Sequence, residues 1–125
     1  MLIDTDVLIW LYRGNEKALK LIEDQAEVGI ATQTALEFMQ AAPNKARQAA
    51  LRSFMGAAGI QILPLSEGVG HRALVYIEQY SLAHGLRAGD ALIAATAMEA
   101  SQPLLTANEK HFRFIPSLKL KVFKP

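Results

Sequence analysis

Apolar residues fall along the chain in two rhythms. Short continuous runs, MLID at 1–4, VGIAT at 28–32, IQILPL at 60–65 and PLLTA at 103–107, have the length and branching of buried strands, with LKVF at 120–123 a weaker fifth. Between them the spacing changes to that of helices. EKALKLIEDQAE (16–27) places Ala18, Leu21 and Ile22 on one stripe and its charges on the other. QTALEFMQAA (33–42) follows the second run directly, and NKARQAALRSFMGAA (44–58) opens after Pro43 and runs out near Gly56 and Gly59. EGVGHRALVYIEQYSLAHG (67–85) ends in a glycine, a residue suited to a helix C-terminus. GDALIAATAMEAS (89–101) is apolar almost all round, which predicts an internal helix. Strands that are short, uniformly apolar and separated by helices predict a short, mostly parallel sheet covered on both faces. The expectation is a three-layer α/β/α sandwich, one domain spanning residues 1–125.

Two acids break the first run. In LIDTDVLIWL (2–11), Asp4 and Asp6 stand where a buried chain ordinarily carries Val, Ile or Ala. Carboxylates are rarely buried unless paired or bound to a cation, because leaving water costs several kcal/mol or more. In parallel sheets of this kind ligands gather outside the carboxyl ends of the strands. Asp4 closes the first strand, Glu37 lies five residues past Thr32, Asp90 opens the Ala-rich helix, and Asn108 follows the fourth strand. Segments far apart in sequence thus bring oxygen donors to one edge of the sheet. Carboxylates gathered in one pocket repel each other, and a divalent cation relieves that repulsion.

Composition narrows which cation. The chain has no cysteine and only three histidines among its 125 residues, so the donors are oxygen-rich and favour Mg²⁺ or Mn²⁺ over Zn²⁺. Such an ion supports in-line displacement at phosphorus, which is phosphodiester hydrolysis. The net charge of +1 does not mark a general nucleic-acid binder. The last sixteen residues carry Lys110, Arg113, Lys119, Lys121 and Lys124 against no acid, an arrangement that also suits an ordinary solvated tail. No basic leader precedes an apolar stretch, and no run reaches the roughly twenty residues of a membrane span, so the expected location is the cytoplasm.

Each residue also has a structural reading. Asp4, Thr5 or Asp6 can cap the helix of VLIWL, and Asp90 can cap the Ala-rich helix. Glu37 can pair with Arg87, and Arg87 can bind phosphate or neutralise the acids. Thr106 and Asn108 suit a strand-end turn. His71 and His84 read as surface or boundary residues, and Trp10, Leu11, Tyr12, Phe112 and Phe114 as core or dimer surface.

The elements LIDTDVLIWL, TALEF, GDALIAATAMEASQPLLTAN and KHFRFIPSLKL, in this order and spacing, resemble a PIN domain of the VapC-type ribonuclease toxins. The resemblance implies a PIN-like fold in which Asp4, Glu37 and Asp90 hold Mg²⁺ or Mn²⁺, with Thr5 and Asp6 adjoining. It implies endoribonucleolytic cleavage of RNA, a homodimer and a cognate antitoxin protein. The acid pattern departs from the family in one respect: a fourth acid is frequent just after the fourth strand, where this chain has Asn108, and His111 stands where relatives often carry Asp. Asn108 can still coordinate through its carbonyl or orient a water, but brings no charge, and His111 can contact phosphate or donate a proton. Those two residues keep a second reading open, a catalytically degenerate PIN module acting as a binding or scaffold subunit. A phospho-acceptor receiver domain also gathers aspartates at strand ends, but IQILPLS ends without an acid and PLLTAN without a lysine.

Overall fold

In the computed structural model, which describes residues 1–125, the chain begins with β1 (Leu2–Ile3), α1 (Thr5–Tyr12) and α2 (Glu16–Glu23). It continues through β2 (Gly29–Ala31), α3 (Thr32–Gln40), α4 (Lys45–Ala57), β3 (Gln61–Leu63), α5 (Glu67–His84) and α6 (Ala88–Glu99). β4 (Leu104–Thr106), a 3₁₀ turn at Glu109–His111 and β5 (Leu120–Val122) complete it. Every strand pairing is parallel, in the order β3-β2-β1-β4-β5. The predicted strands are there, trimmed to two or three residues, and the sheet is wholly rather than mostly parallel.

Alternate residues of the three inner strands, β1, β2 and β4, enter opposite cores. Ile3, Ile30 and Leu105 pack under α1, α3 and α4 with Leu8, Phe38 and Met55. Leu2, Ala31 and Leu104 pack under α5 and α6 with Tyr76, Ile93 and Phe112. Strands buried on both faces need no polar alternation, which is why they read as continuous apolar runs. α6 explains itself the same way: Ala91, Ala94, Ala95 and Ala97 are fully buried, their small side chains letting α6 pack against both the sheet and α5.

Helix starts follow the local chemistry. Asn15, Asn44 and Ser66 accept hydrogen bonds from the amides of Ala18, Arg47 and Val69, satisfying donors that have no partner inside the helix. Gly85 ends α5 in the left-handed conformation (φ 72°) that glycine adopts without penalty. α3 and α6 have no side-chain cap, and both begin at the carboxyl edge of the sheet.

The basic C-terminal stretch is not a loose tail. β5 pairs with β4, and Phe112, Ile115 and Phe123 are buried. The lysines are solvated because an edge strand keeps one side in water, and such charges discourage edge-to-edge association.

Candidate active site

The strand order reverses at β1: β2 and β3 lie to one side of it, β4 and β5 to the other. A crevice opens at such a switch point, outside the carboxyl ends of the strands. Asp4 is the first residue past β1, and its backbone N–H donates to the Leu105 carbonyl at 2.9 Å, so the ladder to β4 runs right up to the carboxylate. The same residue caps α1, its Oδ1 accepting from the Thr5 N–H at 2.8 Å. The cap is therefore Asp4, not Asp6, because only Asp4 holds the extended backbone (φ −74°, ψ 163°) that precedes the helix.

Asp4 is 5% exposed and its second oxygen accepts from Thr106 Oγ1 at 2.7 Å. Thr106, fully buried at the end of β4, in turn accepts from the Asn108 backbone N–H at 2.9 Å. Asn108 Nδ2 reaches back across the crevice to Asp6 Oδ2 at 2.6 Å. Thr106 and Asn108 are thus more than turn residues, since they tie the end of β4 to both aspartates of the first motif.

The other two acids arrive from helices. Thr5 Oγ1 donates to Glu37 Oε1 at 2.6 Å and lies 3.2 Å from Thr34 Oγ1. Glu37 therefore takes a hydroxyl partner rather than Arg87, which is exposed and pairs with no acid. Asp90 lies in the first turn of α6 but caps nothing: Arg87 occupies the cap position, and Asp90 Oδ2 instead meets His111 Nδ1 at 3.1 Å. The N-terminal end of a helix favours a carboxylate there. Gly89 lets α3 approach this turn, because a Cβ on it would stand 3.2 Å from both Glu37 Oε2 and Gln33 Nε2.

The electrostatics record the convergence. Burial, then the Asp6 charge, raises the Asp4 carboxyl to about 7, against smaller opposing effects of the Thr106 and Thr5 hydrogen bonds; the Asp90 charge adds to the rise. Asp6 is raised chiefly by burial. Asp90 is raised by burial, aided by the charges of Glu37 and Asp6 and opposed by His111. Asp4, Asp6, Glu37 and Asp90 thus form one charge system at one edge of the sheet. Each is taken up by a protein donor, and no three acidic or histidine side chains stand close enough to grip an ion as placed. Thr34 and Gly89 are contributors that the sequence reading did not single out by role. Their signals are a threonine one turn before Glu37, and a glycine breaking an otherwise Ala-rich helix.

Comparison with known proteins agrees with this architecture. The PIN domain family model matches residues 1–116. No curated protein matches. A toxin–antitoxin complex from Klebsiella pneumoniae contains a chain 29% identical, with a TM-score of 0.77 over 97% of this chain and 95% of that one. VapBC-1 from nontypeable Haemophilus influenzae is 18% identical with a TM-score of 0.81, covering 97% and 96%. VapBC2 from Rickettsia felis, bound to a DNA fragment from its promoter, is 19% identical with a TM-score of 0.79, covering 98% of each chain. The family match, spanning all four acids and the elements that carry them, establishes that the chain belongs to the PIN domain family.

Proposed function

We propose that this protein is a Mg²⁺- or Mn²⁺-dependent endoribonuclease, the toxin of a toxin–antitoxin pair acting in the cytoplasm. The observation that carries the reading is the meeting of Asp4, Asp6, Glu37 and Asp90 at the switch point, where burial pushes Asp4, Asp6 and Asp90 toward protonation and the neighbouring acids add to the push on Asp4 and Asp90. The donor set fits a hard divalent cation: carboxylate oxygens, the Asn108 carbonyl and no thiolate. Asp4, Glu37 and Asp90 would hold the ion. The chemistry it supplies when bound is neutralisation of charge at the phosphoryl oxygens and activation of water for in-line attack.

The chain's own residues set the stage for that step. Thr106 fixes Asp4, and Thr5 fixes Glu37, so two of the acids are held from different elements. Asn108 spends its amide N–H on Asp6 and keeps its carbonyl free to orient the attacking water. A groove of about 390 Å³ shares Asn108 and His111 with the acidic cluster and is also lined by Lys110 and Lys124. Neither lysine pairs with an acid, so both can meet RNA phosphates flanking the scissile bond.

The structural relatives come from toxin–antitoxin complexes, which supports an antitoxin as partner. Apolar surface for a second copy or an antitoxin is supplied by Leu36, Leu74 and the wholly exposed Leu82. No helix is long and apolar enough to cross a membrane.

The separation of the carboxylates favours a second reading, a PIN module that binds without cutting. One assay distinguishes them. The purified protein is expected to cleave RNA in Mg²⁺ or Mn²⁺, to stop in EDTA, and to lose cleavage in Asp4→Ala and Asp90→Ala with the fold intact. Cleavage at the wild-type rate by either variant would overturn the assignment, and RNA binding without cleavage would favour the second reading.

A further inference from the structure

Among the oxygens of the cluster stands one side-chain nitrogen able to offer a lone pair, that of His111; the amide nitrogen of Asn108 can only donate. His111 Nδ1 lies 3.1 Å from Asp90 Oδ2. An imidazole nitrogen lacking its proton and an ionised carboxylate both present lone pairs, so they remain in contact only around a proton or a cation. The separation also matches that of neighbouring donors on an octahedral ion, where bonds of about 2.1 Å at right angles set them about 3.0 Å apart. His111 rides on the 3₁₀ turn just after β4, and its side chain is 58% exposed, so turning toward an ion costs it little hydration. The other histidines stand elsewhere, His71 and His84 on α5, where the His84 ring stacks on Phe114 at 4.4 Å.

Resting on the metal reading of the site given above, we propose that His111 is itself a metal ligand, its Nδ1 joining Asp90 on the same divalent cation. The single ring proton of the neutral imidazole then sits on Nε2. An imidazole donor in place of a carboxylate shifts preference from Mg²⁺ toward transition ions, so the site takes Mn²⁺ ahead of Mg²⁺.

The test loads the whole protein with Mn²⁺ and reads the nuclei on the ion by pulsed electron paramagnetic resonance. Wild type is expected to show ¹⁴N modulation from a bound imidazole, moving to ¹⁵N frequencies when histidine alone is ¹⁵N-labelled. The modulation is expected to vanish in His111→Asn and His111→Asp while Mn²⁺ stays bound, and Mg²⁺ should displace Mn²⁺ more readily from His111→Asp than from wild type. Mn²⁺-loaded wild type without histidine nitrogen modulation, or modulation that survives His111→Asn, overturns the assignment; the isotope arm requires no variant to fold. Equal displacement by Mg²⁺ in the two proteins counts against it as well. No uptake of Mn²⁺ by wild type, or uptake indifferent to Asp4→Asn, defeats the metal reading and this assignment together.

Discussion

Asp4 shows how one residue serves fold and site at once. Its Oδ1 caps α1 and its Oδ2 receives Thr106, yet the carboxyl is raised to about 7 from an ordinary value of 3.8. A group with this shift takes up protons on folding between those two values, so in chelator its contribution to stability falls as pH rises through that window. Asp4→Asn removes the dependence while keeping an acceptor for the cap. Urea unfolding is expected to show the variant gaining on wild type between about pH 4 and pH 7 and no further above it. A difference that grows in wild type's favour as pH rises would show Asp4 stabilised as an anion by its surroundings. Thr106→Val tests the partner: it leaves Asp4 Oδ2 and the Asn108 N–H without their hydroxyl, and a loss of about 1–3 kcal/mol is expected from the same urea curves.

At the scale of elements, the site exists because α3 and α6 begin at the carboxyl edge without caps of their own and approach closely over Gly89. Gly89→Ala is expected to raise helix stability by at most about 1 kcal/mol. It should also push Glu37 and Gln33 aside by a few tenths of an ångström, so melting rises only if both side chains give way, while RNA cleavage slows. Unchanged activity would show that Glu37 tolerates the displacement. Much at this scale is legible in the chain. The apolar runs around Ile3, Ile30 and Leu105 announce strands buried on both faces, and the alanines of α6 announce an internal helix. The placements of Asp4, Glu37 and Asp90 follow from the rule about strand ends. What periodicity leaves open is which donor each acid takes. The Thr106–Asp4 and Asn108–Asp6 bonds span 102 residues, and His111–Asp90 spans 21, so tertiary packing alone decides them. For the same reason Asp90 looks like a cap until the backbone shows Arg87 in that place. The basic C-terminal stretch likewise looks like a free tail until β5 is seen paired to β4.

At the scale of the whole molecule, the acidic crevice adjoins a groove in which Lys110 and Lys124 stand with one acid, Glu109. Each single-strand phosphate neutralised contributes a slope of about 0.7 in the logarithmic salt dependence of affinity. Replacing both lysines by alanine should therefore lower the slope for a single-stranded RNA, measured in chelator, by about 1.4. Lys17→Ala with Lys20→Ala on α2 should leave it unchanged, and equal effects of the two pairs would place RNA elsewhere. The proposed cleavage depends on a single divalent ion shared by acids from three elements. Calorimetric titration of Mn²⁺ into wild type, Asp4→Asn, Glu37→Gln and Asp90→Asn measures that sharing directly. One binding isotherm, weakened or abolished by each substitution in turn, is the predicted result; a wild-type protein that takes up no Mn²⁺, or an isotherm that any one substitution leaves untouched, contradicts it.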